Sequence, residues 1–334
     1  MSRRSVQPVA LLSACAAVVL MTNCESSPHE PTERYVLVAA NTKISYWQAA
    51  AAGLRNAAGE LKVKSEVLGP VTYDPRAERD EFEAAVRAKP SGILVSAANA
   101  ELLTSDIDAA LQQGIPVITI DSDVPASKRL VFIGTDNYSA GRLGGQLLLK
   151  LLGGKGNVVM FTYPNQLNLT ERQNGYESIL EGHPGIKVTQ AIDIKGDPTV
   201  AFDTAKQLLE SKAKVDAFVC LEAIACPEIG EIVNRANLGG KITILAMDTD
   251  QRTLTWIQKG VISATIGQRP YTMAYFGTKL LDELHHHLPA SLTEDFSHKS
   301  FAPLPTFIDT GTFIVDKDSV AAHIQENQAQ GVSQ

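Results

Sequence analysis

The amino-acid sequence predicts an α/β protein built from two doubly wound parallel-sheet units in tandem. Three observations carry that expectation. Continuous apolar runs of about four to six residues alternate with helical stretches over nearly the whole body, and such runs suit parallel strands buried on both faces. An internal echo is present: Ser91 to Asp123 runs strand, loop, helix, turn, strand and ends ITIDSD, and Val215 to Asp250 runs the same way and ends ILAMDTD. Size and composition agree with both. A chain of 334 residues, 44% hydrophobic and 20% charged, is globular and long enough for about two domains.

Residues 1–24, MSRRSVQPVALLSACAAVVLMTNC, set Arg3 and Arg4 ahead of an apolar run from Pro8 to Met21, the layout of a secretory signal. At about 14 residues that run is too short to span a bilayer, which needs roughly 20. Residues 25–33 read as a flexible tether. Tyr35 to Ala40 (YVLVAA) has strand length, and Trp47, Ala50, Leu54, Ala57, Ala58 and Leu61 then recur at helical spacing. Val63 to Leu68 suggests a second strand. Asp74-Pro75 opens a helix that carries Phe82 and Val86 and stops before Pro90. GILVSA from 92, a helix from about Ser105 to Gln113, and PVITID from 116 continue the alternation. LLGGKGN at 151–157 precedes the strand VVMF and reads as a glycine turn closing a helix. Cys220 and Cys226 flank Leu-Glu-Ala-Ile-Ala; an oxidising compartment permits a bridge, while two small buried hydrophobes are the commoner arrangement.

The function classes narrow by chemistry. A net charge of -7 without a basic stretch of five residues argues against nucleic acid, whose affinity comes largely from phosphate neutralisation. There is no GxSxG elbow, HExxH, CxxC pair, EF-hand loop or GxxxxGK[ST] phosphate cradle. His285, His286 and His287 are adjacent, point about 100° apart on a helix and cannot chelate one ion together, so they read as a solvated helix end. Binding is therefore expected over catalysis, with no cofactor and no metal. Ligands of open parallel sheets sit beyond the carboxyl ends of the strands, where the echo sets Asp121-Ser122-Asp123 and Asp248-Thr249-Asp250. If the two sheets face each other, Asp121 and Asp248 converge across a cleft.

YVLVAAN at 35, Tyr46-Trp47 ahead of Ala49 to Gly53, GIPVITIDSDVP at 114, FIGTDNYSAGRLGG at 132, ERQNGYE at 171, ILAMDTD at 244 and ATIGQRPYTMAYFG at 264 occur in one order along residues 35–316. With these segments the chain resembles the ribose-type periplasmic sugar-binding proteins of ABC importers, the type I periplasmic binding proteins. The resemblance implies two doubly wound lobes joined by a three-segment hinge: 35–135 plus 268–304, and 136–267 plus 305–320, with a tail at 321–334. A monosaccharide or polyol is enclosed between them, and the closed form is read by a permease in the inner membrane. The chain is expected to act as a monomer.

Carried over by position, Tyr46 and Trp47 stack on the apolar face of a sugar. Asp121 and Asp248 accept hydroxyl hydrogen bonds that charge makes stronger. Arg172 donates a fork of N–H groups, and Gln268 both donates and accepts. Ser122 and Glu222 depart from the pattern: Ser122 follows the first acid where Arg is usual, and Glu222 replaces an Asn. The leader resembles a lipoprotein signal, with Cys24 favoured over Cys15 for lipid attachment, and the protein is expected outside the cytoplasm, held to a membrane only by that lipid. The alternatives are a sensory sugar receptor feeding a chemoreceptor or histidine kinase, and an exported α/β enzyme.

Overall fold

The structure is a computed structural model that describes residues 29–164, 166–287, 291–294, 299–300 and 302–329. Cys24 and the leader lie outside those residues. Two six-stranded sheets are present. The first comprises β1 (Arg34–Val38), β2 (Lys64–Leu68), β3 (Gly92–Val95), β4 (Val117–Ile120), β5 (Phe132–Gly134) and β11 (Phe307–Asp309), in the order β11-β5-β4-β3-β1-β2. The second comprises β6 (Gly156–Thr162), β7 (Ile186–Asp193), β8 (Ala217–Cys220), β9 (Thr243–Met247), β10 (Ala264–Gly267) and β12 (Phe313–Asp316), in the order β12-β10-β9-β8-β6-β7. The centres β3, β4, β8 and β10 are buried at every residue, as helices on both faces require.

The helices follow their local chemistry. The Asp74 carboxylate accepts from the N–H groups of Arg76 and Ala77, and Pro75 occupies the first position of α2 (Pro75–Arg87). Asn99 does the same for α3 (Ala100–Gln112), which therefore begins five residues before the expected Ser105. α4 (Asn137–Leu152) ends on Gly153 in the left-handed conformation before β6. α1 (Ser45–Leu61) packs on α9 (Pro270–His286) against the first sheet; α4 packs on α5 (Leu167–Leu180) against the second. No helix among the described residues is long and apolar enough to cross a membrane.

The chain changes sheets between β5 and α4, between β10 and α9, and between β11 and β12. The last change falls after Asp309, because β11 pairs with β5; residues 307–309 thus join the first sheet, where the sequence had placed them in the second lobe. β12 is antiparallel to β10, an exception to the parallel pattern expected. Only residues 310–312 separate it from β11, too few to carry the chain back for parallel entry. Cys220 and Cys226 form a disulfide, the less common of the two arrangements weighed above.

Candidate functional site

The echo has a backbone counterpart. β3-α3-β4 ends at Asp121 and β8-α7-β9 ends at Asp248, with α7 spanning Ala225–Arg235. Both acids adopt positive φ, 63° and 65°, a left-handed turn that Asp tolerates better than most residues. At Asp121 the next N–H, of Ser122, bonds back to the Ile120 carbonyl at 2.7 Å, which folds the chain sharply at the sheet edge. The second acid of each triplet serves the framework. Asp123 holds the Arg129 fork at 2.7 and 2.6 Å, and Asp250 caps α8 (Gln251–Gln258) through the Arg252 N–H.

Asp121 and Asp248 face one cleft between the lobes, about 540 Å³ with its open mouth included. Tyr46, Trp47, Arg172, Glu222 and Gln268 line it with them. Ser122 does not: the reversal at Asp121 tucks it beneath the sheet, where its carbonyl accepts from the Ala97 N–H. Arg269, next to Gln268, lies over the Phe313 ring instead.

Asp121 is crowded with donors: the Tyr46 hydroxyl at 2.7 Å, the Ser96 hydroxyl at 3.0 Å and the Asn168 amide at 3.4 Å. Among the described residues the Asp248 carboxylate receives only Gln268 Nε2, at 2.9 Å. Glu222 turns its carboxylate to the N–H groups of Ile224 and Ala225 at the start of α7. Arg172 is 1% exposed; its two terminal nitrogens go to the Leu221 carbonyl and Asn137 Oδ1. α4 and α5 meet backbone to backbone to place it: a Cβ at Gly141 would lie 2.0 Å from the Arg172 carbonyl oxygen, and one at Gly175 would lie 2.2 Å from that of Tyr138.

Burial raises all three acids. Glu222 is pushed up to about 7 and Asp248 to about 6, desolvation outweighing the bonds and the Arg172 charge that pull them down. Asp121 is raised for the same reason against its three donors. Three buried polar atoms of cleft residues have no protein partner: Asn168 Oδ1, Gln268 Oε1 and Arg172 Nε. Buried polar groups are normally paired, and these three are not.

The sequence pattern of the periplasmic binding protein domain matches residues 35–286. The chain belongs to that family. A xylose/arabinose-binding protein, XylF, of Sulfolobus acidocaldarius is 23% identical over 322 residues, covering 92% of this chain and 76% of its own length. Two solved structures are similar throughout. The sugar-binding protein of a sugar ABC transporter from Bacillus halodurans superposes with a TM-score of 0.76 at 34% identity, over 87% of this chain and 99% of that one. A solute-binding protein from Burkholderia graminis in complex with D-arabinose gives 0.80 at 25%, over 88% and 99%.

In this periplasmic binding protein the cleft is also lined by residues that sequence reasoning passed over: Tyr73, Tyr163, Gln166 and Asn168. Asn168 had a signal, since it precedes Arg172 by four and so shares its face of α5. Tyr73 and Tyr163 had none. They follow strands of different lobes and meet only in the fold, ring centroids 4.9 Å apart.

Proposed function

We propose that the protein is the extracytoplasmic solute-binding component of an ABC importer and captures a neutral monosaccharide or polyol between its lobes. The supporting observation is the pairing of two strand-end acids with three unpartnered buried groups around one cleft. Carboxylates accept from sugar hydroxyls, Asn168 and Gln268 carbonyls accept more, Arg172 Nε donates, and Trp47, Tyr73 and Tyr163 offer ring faces to the C–H side of the guest. Nothing in this scheme requires a covalent step, and the ligand leaves as it entered. Binding works by closure, because contacts to both lobes exist only when the lobes meet.

Charge narrows the ligand class. Asp121, Asp248 and Glu222 stand against Arg172 alone, and a buried anion without a partner is costly. A neutral or amine-bearing sugar is therefore accepted and a uronate or sugar phosphate rejected. A thermal-shift screen against pentoses, hexoses, amino sugars, polyols and uronates tests this, since a ligand of the folded state raises the melting temperature. Tighter binding of a uronate than of its neutral parent would sink the charge argument, and turnover of a bound sugar would sink the receptor reading. Export through the leader and lipid attachment at Cys24 complete the proposal; labelling with radioactive palmitate, lost in Cys24→Ser, checks the anchor.

A further inference from the structure

A second constellation lies far from the cleft. Asp282 and His286 stand one turn apart near the C-terminal end of α9, and His29 and Glu33 flank a turn, closed by the Glu33 N–H on the Glu30 carbonyl, just before β1. His29 Nε2 approaches the two Asp282 oxygens at 3.0 and 3.2 Å. His286 Nε2 approaches Glu33 Oε2 at 3.2 Å and Asp282 Oδ1 at 3.7 Å. One ligand atom from each of the four lies within 4.8 Å of the others. Pro270 begins α9 beside Gln268, so Asp282 and His286 sit about 18 and about 24 Å away along the helix axis.

We propose that His29, Glu33, Asp282 and His286 form a binding site for a divalent transition-metal ion of the zinc class, which staples the segment preceding β1 to α9. Spacing supports it. Metal bonds of about 2.0–2.2 Å in a tetrahedron set donor atoms roughly 3.4 Å apart, close to the separations above, so only small movements bring all four onto one ion. Donor chemistry supports it as well. Two imidazole nitrogens with two carboxylates suit zinc, nickel or cobalt, whereas magnesium and calcium prefer oxygen throughout.

Charge and the outer layer point the same way. Glu33 and Asp282 have side chains only 5% and 14% exposed, and their charged partners among the described residues are histidines; a dication neutralises both. The Tyr35 hydroxyl donates to Asp282 Oδ1 at 3.0 Å and the Glu30 N–H donates to Glu33 Oε1, the kind of outer hydrogen bonds that aim ligating carboxylates. The adjacent-histidine argument still holds, since of the triplet only His286 takes part, joined by residues remote in sequence.

The test titrates Zn²⁺ into the untagged, chelator-stripped full chain by calorimetry, with Mg²⁺ and Ca²⁺ as comparisons, and uses cobalt absorption to report coordination number. One equivalent of Zn²⁺ should bind, with at least tenfold weaker binding in His29→Ala and Asp282→Asn, no change in His287→Ala, and sugar affinity the same in all. Tyr35→Phe should weaken zinc about tenfold. Absence of stoichiometric binding, binding indifferent to His29→Ala and Asp282→Asn, or loss in His287→Ala would each overturn the site. If Asp282→Asn does not fold, His29→Ala decides alone. Zinc that leaves the wild-type melting temperature unchanged reduces the cluster to ion pairs and also overturns the proposal.

Discussion

Asp121 and Asp248 end equivalent strands with nearly the same backbone, yet their surroundings differ. The first-lobe acid accepts from Tyr46, Ser96 and Asn168; the second-lobe acid has Gln268 alone and a raised acid, Glu222, as neighbour. Duplicated geometry has thus been put to two uses. Asp121 is fixed in place by three donors of the protein, and the Asp248 carboxylate by one. The second lobe would then contribute more of the ligand energy, and the first more of the shape.

The largest effect that sharpens this contrast is on pH. Glu222 and Asp248 hold protons in the fold that the unfolded chain has already released, so their contribution to ligand-free stability is fully present below about pH 4 and declines as pH rises through about 6 and about 7. Each contributes at most about 3 kcal/mol to that decline. Urea unfolding at pH 5 and 7.5 should show it, and Glu222→Gln should remove one share; a profile that rises with pH would contradict the assignment. Sugar hydroxyls favour the charged acids, so binding near pH 6 should release protons, visible by calorimetry in two buffers.

Next in size, Asp248→Asn should weaken sugar binding about 100-fold, near 3 kcal/mol, with ligand-free stability unchanged or raised. Asp121→Asn should cost about tenfold in affinity but also about 1–2 kcal/mol of stability, because its donors lose a charged acceptor. Asparagine is the right probe, since alanine at positive φ adds strain of its own. Reversal of the two affinity losses would break the comparison.

Smaller effects concern what each lobe brings besides its acid. Only the second lobe holds a disulfide among the described residues, and Cys220→Ser with Cys226→Ser should cost about 2 kcal/mol, read as a lower melting temperature. The smallest is at the seam: the Ser45 hydroxyl reaches Asp250 Oδ2 across the lobes at 2.9 Å, and Ser45→Ala should weaken sugar binding about twofold to fivefold through less closure. A faster ligand on-rate with unchanged affinity would argue against that latch.

Much of the architecture was legible because parallel strands buried on both faces leave continuous apolar runs, and because the echo from Ser91 and Val215 marks both strand tips. What escaped notice depended on tertiary placement. Tyr73 and Tyr163 acquire a role only when two lobes meet, and Ser122, adjacent to a cleft acid, is turned inward by one sharp backbone reversal. The return of β11 to the first sheet left no periodic signature in a three-residue strand. The His286 constellation was invisible for the same reason: its members come from opposite ends of the chain.

The turn at both strand tips also bears on how such a protein changes its diet. Few side chains can sit at 121 or 248 without a conformational penalty of about 1–2 kcal/mol, so these sites are poor material for evolutionary tinkering. Positions 44, 163 and 222 carry no such restriction. A lineage acquiring a new nutrient is expected to rewrite those three first and leave the twin aspartates alone, and selection of variants for growth on an alternative sugar would show whether replacements collect there.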